Sequence, residues 1–195
     1  TSWTTTTDNI GALGISGIAV VPSTPNTIYI ATGDGDATDN WSIGVLKSID
    51  GGNTWNTTGL NWANSFNKVI RRIIIDPDDE NNLLVASSDG IYRSTDAGAT
   101  WSQKQTGNFF DIEANPNAST SIFYASTGNA IYKSTNNGNS WTNIQTISGS
   151  NRIALAVTPA NNTVVYALSS LSSNSGFNGL YKSTNSGDSY AVQST

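Results

Sequence analysis

One eight-residue pattern returns at a nearly regular interval along the chain, and such a return constrains the fold more than any other feature of a sequence. The copies read SIDGGNTW (48–55), STDAGATW (94–101), STNNGNSW (134–141) and STNSGDSY (183–190). Trp3 of the opening Thr-Ser-Trp reads as the tail of an earlier copy. The anchors Trp3, Trp55, Trp101, Trp141 and Tyr190 are then 52, 46, 40 and 49 residues apart. A period of this size, with loop-sized variation, is that of a propeller blade.

Each copy is preceded by the same arrangement. IAVVPSTPNTIYIAT (18–32), IIIDPDDENNLLVAS (73–87), IEANPNASTSIFYAS (112–126) and LAVTPANNTVVYALS (155–169) each read as an apolar strand, a turn opening on proline, and a second apolar strand. Pro22, Pro77, Pro116 and Pro159 hold equivalent places, where a fixed φ and a missing N–H suit the start of a turn. A third strand follows in GVLKS, GIYRS, AIYKS and GLYKS, and a fourth leaves from the aromatic anchor. Four antiparallel strands per period predict an all-β fold, a β-propeller fragment of four blades. The blades are expected over 15–60, 69–105, 108–145 and 151–195, after an orphan outer strand over 1–7. A β-sandwich does not repeat its sequence four times in register.

The 195 residues are enough for a sizeable core, and charged residues make up only 12%. The net charge of −5 and the lack of any basic cluster beyond Arg71-Arg72 argue against nucleic acid or an anionic membrane as partner. No apolar stretch approaches the ~18–20 residues of a spanning helix, so direct membrane insertion is not expected. Cysteine and histidine are absent, which excludes disulfides, Cys/His zinc sites and Ser-His-Asp chemistry within this chain. The opening Thr-Ser-Trp, without Met or a signal peptide, leads us to expect a stretch of a longer protein.

The pattern S-x-D-x-G-x-x-W resembles the Asp-box, or BNR repeat, of bacterial sialidases, sortilin-type propellers and xyloglucanase-type glycoside hydrolases. Ser48/Asp50/Gly52/Trp55 and Ser94/Asp96/Gly98/Trp101 match it fully. Ser134/Asn136/Gly138/Trp141 carries Asn for Asp, and Ser183/Asn185/Gly187/Tyr190 also replaces the Trp. The motif reads as scaffold. The Asp or Asn accepts backbone N–H groups in a tight turn, Gly supplies a positive φ, and the aromatic ring folds back between sheets. Exchange of Asp for Asn suits an acceptor and suits a metal or catalytic group poorly.

With strands A to D running from the channel outwards, the proline turns and Asp-boxes share one face and the B–C and D–A loops lie on the other. The long B–C segment TGDGDATDNWS (32–42) brings Asp34, Asp36, Asp39 and Trp41; the D–A loop NWANSFNK (61–68) brings Trp62 and Phe66. Acidic groups beside rings suit carbohydrate, with rings stacking on sugar faces. Asp34, Asp36 and Asp39 read equally as a solvated loop or as Ca²⁺ ligands, although a calcium loop's closing Glu and required Gly are missing. Trp41 and Trp62 also read as local packing. In the inner strands, Arg72 and Asp111 occupy equivalent positions and Glu113 falls in an otherwise apolar row, so an ion pair across adjacent blades is expected.

Three functions stay open. The stretches YIATGDGDATDNWSIGVLKSIDGGNTW (29–55) and GIYRSTDAGATW (90–101) resemble large secreted multidomain bacterial proteins whose sortilin-like propellers precede a sorting domain for type IX secretion. That resemblance implies a non-catalytic interaction or scaffold propeller, secreted or at the surface of a Gram-negative cell. Its implied partners are other blades and domains of the same polypeptide, polysaccharide, or a secretion or outer-membrane complex. The second reading is a polysaccharide hydrolase completed outside this chain, with Asp34 or Asp36 as one catalytic carboxylate. The third is a sortilin-like peptide-binding propeller. A sialidase is disfavoured, because only Arg71, Arg72, Arg93 and Arg152 are available for an arginine triad. No cofactor is expected beyond the Ca²⁺ alternative.

Overall fold

A computed structural model describes residues 5–8, 10–12, 14–36, 39–116 and 121–195. Sixteen strands form four antiparallel sheets, each of four strands in sequence order. The first blade comprises β1 (Ile15–Val20), β2 (Ile28–Thr32), β3 (Gly44–Ser48) and β4 (Asn56–Asn61). The second comprises β5 (Ile70–Ile75), β6 (Leu83–Ser87), β7 (Gly90–Ser94) and β8 (Ser102–Thr106). The third is β9 (Phe109–Ala114), β10 (Phe123–Thr127), β11 (Ala130–Ser134) and β12 (Thr142–Thr146). The fourth is β13 (Ser150–Val157), β14 (Val165–Leu171), β15 (Phe177–Ser183) and β16 (Ala191–Ser194). This is the propeller arc that the repeat implies. Of the outer strand expected over 1–7, residues 1–4 and with them Trp3 lie outside the described residues, and 5–7 carry no strand.

The core lies between blades. Tyr29, Ala31 and Val45 of the first blade pack on Ile70, Ile73 and Val85 of the second. Leu84 and Ala86 pack on Ile112 and Phe123. Tyr124 and Ile131 pack on Ile153 and Val165. Because β6 is covered on both faces, Leu83, Leu84, Val85 and Ala86 are all fully buried, and the strand reads as a continuous apolar run rather than an alternating one.

The octapeptides are the hairpins between third and fourth strands, and all four close in the same way. Ser48 Oγ donates to Asp50 Oδ1 at 2.8 Å and accepts Gly52 N–H at 2.9 Å. Asp50 in turn accepts Thr54 N–H at 2.9 Å and its hydroxyl at 2.7 Å. These bonds, the Thr54 hydroxyl foremost, hold the Asp50 carboxyl down to a pKa of about 2. Where Asn stands in place of Asp, the side-chain bond reverses direction. Asn136 Nδ2 donates to Ser140 Oγ at 2.9 Å, and Asn185 Nδ2 to Ser189 Oγ at 3.0 Å. The exchange is tolerated because the hydroxyl four residues on can give or take a proton. Positive φ occurs at two successive residues, Ala97 (φ 55) then Gly98 (φ 86), so the turn asks more of the backbone than its glycine alone reveals.

The aromatic anchors are half-buried rather than enclosed between sheets. Trp101 and Trp141 lie against the cores with indole N–H groups donating to Gly98 O (3.1 Å) and Gly138 O (3.2 Å). An indole needs a partner for its N–H, and the turn's own carbonyl supplies one while keeping the ring at the rim.

Candidate ligand cleft on the long-loop face

Three of the inner strands carry a β-bulge at the same point. Pairing skips Ser16 in β1, Arg71 in β5 and Phe110 in β9. In the longer β13 the skipped residue is Asn151, directly before Arg152. A bulge turns its extra side chain out of the ladder and concentrates at functional rims. Here the skipped residues stand where the inner strands begin, at the channel mouth on the long-loop face. Ser16, Arg71, Phe110 and Arg152 line a cleft of about 760 Å³ together with Asp34 and Asp36 of the long B–C loop. Asp39 also lines it.

The loop is held over this mouth at its stem and near its tip. Gly33 N–H donates to Gly14 O and Ser42 N–H to Lys68 O, both at 2.8 Å. Thr32 Oγ1 donates to Gly44 O at 2.7 Å, as Ser87 Oγ does to Gly90 O in the second blade, so the insertion keeps the clamp of a short connection. Arg71 Nε donates to Gly35 O at 3.0 Å, while its Nη1 donates to Asn108 Oδ1 (2.7 Å) and Phe109 O (3.0 Å). Asp36 then crosses the mouth and takes an ion pair from Arg152 of the fourth blade at 2.8 Å. The Arg71 guanidinium carbon lies 4.2 Å from the centre of the Phe110 ring, and that of Arg152 lies 5.8 Å from it. Burial and the nearby Arg152 charge lower the pKa of Arg71, and Asp36 opposes them.

Asp36 N–H donates to Asp34 Oδ1 at 2.9 Å, which fixes Asp34 as the cap of its own turn. Among the described residues no three acidic side chains are gathered as a metal-holding group. Trp41 is half-buried and does not line the cleft.

The D–A loop points elsewhere. Trp62 is only 8% exposed and meets Tyr92 edge-on at 5.5 Å. Lys68 lies 4.9 Å from the Trp62 ring and 5.9 Å from the Phe66 ring, and binds Asp89 at 2.5 Å. Trp62 is thus a core residue rather than a sugar platform, because a buried ring under a fixed cation presents no free face. Phe66, exposed at the end of a short 3₁₀ turn (Asn64–Phe66), flanks the same lysine outside the cleft.

Arg72, Asp111 and Glu113 meet along the channel wall. Arg72 Nη2 donates to Glu113 Oε1 at 2.5 Å, and its Nε lies 3.7 Å from Asp111 Oδ1. Asp111 Oδ2 also accepts Leu155 N–H at 2.8 Å, so the group ties together the inner strands of three blades. Burial raises the pKa of Glu113, opposed by Arg72 and assisted by Asp111. Glu113 lines a groove at the proline-turn end with Pro22, Pro77 and Pro116, away from the acidic loop.

Reading the strands by simple alternation misses Ser16, Phe110 and the cleft roles of Arg71 and Arg152, because a bulge breaks the period of two. The detectable signal is the doublet Arg71-Arg72, two adjacent cations in one inner strand, where alternation allows only one on the channel side.

A family model described as Sortilin-Vps10, "Sortilin, neurotensin receptor 3", matches residues 89–194, more than half of the chain. A xyloglucanase Xgh74A of Acetivibrio thermocellus is 35% identical over 125 residues, covering 60% of this chain and 14% of that protein. A xyloglucanase of a Paenibacillus species is 34% identical over 116 residues, covering 52% and 11%. The crystal structure of an ancestral GH74 enzyme overlays 93% of this chain and 24% of its own at TM-score 0.71 and 21% identity, a likeness of fold. The chain thus spans a small part of these relatives, all of them propellers or proteins related to glycoside hydrolases. Its own four Asp-box blades and the family match over most of the last three of them place it plainly: the chain belongs to the Sortilin-Vps10 family.

Proposed function

We propose that this arc is the glycan-binding part of a propeller in a secreted or surface-held bacterial protein, and that it holds polysaccharide across the channel mouth. The observation carrying this reading is the cleft of about 760 Å³ whose acidic loop is braced to the fourth blade by Asp36 and Arg152. Carboxylates and guanidiniums fixed at known positions match sugar hydroxyls, and Phe110 supplies an apolar surface for a sugar face. The 35% identity to a xyloglucanase supports a β-glucan as the class of ligand. In this reading Asp34 and Asp36 position the ligand, since one caps its own turn and the other is engaged by Arg152.

Calorimetric titration of the chain with xyloglucan and cello-oligosaccharides tests this. Binding is expected, and Asp36→Asn and Phe110→Ala are each expected to weaken it several-fold while circular dichroism is unchanged. Absence of binding to any β-glucan, or unaltered affinity in both variants, would sink the proposal. Hydrolysis by the whole protein is the second reading, favoured by the xyloglucanase relatives. New reducing ends from the full-length protein, lost on Asp34→Asn or Asp36→Asn at unchanged affinity, would replace positioning with catalysis.

A further inference from the structure

Every joint between blades is built to one plan. In the second strand of the first three blades, Tyr29, Leu84 and Tyr124 hold equivalent positions opposite Ala19, Ile74 and Glu113. All three are buried by the Asp-box of the next blade. A Cβ added to Gly98 would lie 3.3 Å from Tyr29, one on Gly138 2.4 Å from Leu84, and one on Gly187 2.5 Å from Tyr124.

The fourth residue of each box is clamped from two sides. Its N–H binds its own blade, as Ala97 N to Asn81 O (3.0 Å) and Ser186 N to Thr163 O (2.8 Å). Its carbonyl binds the preceding blade: Tyr29 OH donates to Ala97 O at 2.9 Å and Tyr124 OH to Ser186 O at 3.0 Å. A cation completes the joint. Lys47 lies 5.2 Å from the Tyr29 ring centre and donates to Ala97 O at 3.2 Å.

The fourth blade repeats the receiving half of this joint without an insert. Tyr166 stands opposite Ala156 in the same register, and Lys182 lies 5.5 Å from its ring centre. Tyr166 is 37% exposed and Leu168 50%, although Ala31, Ala86 and Ser126, which match Leu168, are all fully buried. Among the described residues no carbonyl accepts the Tyr166 hydroxyl. The first blade repeats the inserting half. Gly51 holds the clamped box position, its N–H bound to Asn26 O at 2.9 Å. Ile18 is 65% exposed, whereas its equivalents Ile73, Ile112 and Leu155 are buried.

We infer that the back of the fourth blade is a docking surface for the front of an Asp-box blade, and that a second copy of this chain fills it head to tail. The Gly51 carbonyl of one copy would accept Tyr166 OH and Lys182 of the other, and Ile18 would cover Leu168. Both halves are present on one chain, and the interface continues a joint that the chain already makes three times. Such a contact is heterologous, so it closes into a ring or extends.

Light scattering over a concentration series reads this directly. The chain should exceed its monomer mass of 20.5 kDa. Ile18→Asp and Leu168→Asp alter exposed side chains at opposite ends, so each variant should keep its circular dichroism and yet stay monomeric. Mixed one to one, they should restore a capped pair through the one intact front and the one intact back. Tyr166→Phe should weaken association about five-fold by removing a single hydrogen bond. A wild-type chain monomeric throughout overturns self-association and leaves the socket to a blade elsewhere in the polypeptide. Single variants that keep the higher mass, or a mixture that stays monomeric, overturn the head-to-tail contact.

Discussion

The two faces of this propeller arc are made from the same strands and obey opposite rules. On the Asp-box face all four blades close with the same serine, the same acceptor and the same positive-φ glycine. On the long-loop face hardly two blades agree, and its contacts are individual: Arg71 on Gly35, Arg152 on Asp36, Lys68 on Asp89. Bonds of the first kind form within a hairpin and cost little chain entropy. Those of the second kind join residues as far as 116 apart and are largely exposed. Repetition therefore marks where stability is built, and variation marks where a ligand can be selected.

Substitutions can break or sharpen that contrast. The largest expected effect is Gly138→Ala, which combines a φ of +78° with a Cβ 2.4 Å from Leu84 Cδ2. A loss of about 3 kcal/mol in urea unfolding at unchanged m is expected from strain and overpacking together. Ser94→Ala leaves the Gly98 N–H and the Asp96 carboxylate without their buried hydroxyl and should cost about 1–3 kcal/mol. Equal effects from loop-face changes would erase the distinction.

Acid separates the boxes themselves. The carboxyls of Asp50 and Asp96 sit below the ordinary value of 3.8, Asp50 at about 2, held there chiefly by the Thr54 and Thr100 hydroxyls. Their contribution is full above the ordinary value and is lost as pH falls through the folded values. A decline in stability between about pH 4 and pH 2 is expected, and Asp50→Asn should flatten part of it, measured by Tm against pH. An unchanged profile would show that these bonds persist in the unfolded chain.

The smallest expected effect lies on the other face. Arg152→Ala removes an ion pair whose side chains are 52% and 76% exposed, so stability should move by less than about 0.5 kcal/mol. Glycan affinity, by calorimetry, should fall several-fold. A stability change as large as that of Ser94→Ala would make the loop part of the scaffold.

The architecture was legible because the period, the proline turns and the boxes report one backbone plan four times. The acidic loop of the cleft was legible too, since Asp34, Asp36 and Asp39 stand in an insertion that the other blades lack. Trp62 was misleading. Its position in a long loop suggests display, but Tyr92 and Lys68 enclose it, and neither is near in sequence. Phe110 was hidden for the opposite reason. It reads as one more strand residue, and only the skipped pairing between Phe109 and Asp111 turns it into the cleft.

That skipped pairing has a consequence for how such a chain can change. A bulged residue belongs to no ladder rung, so replacing it leaves the neighbouring rungs in place. Ser16, Arg71 and Phe110 are three such addresses around one opening, holding a hydroxyl, a cation and a ring. Single codon changes at these addresses can rewrite what the mouth accepts while the inherited frame is copied unaltered.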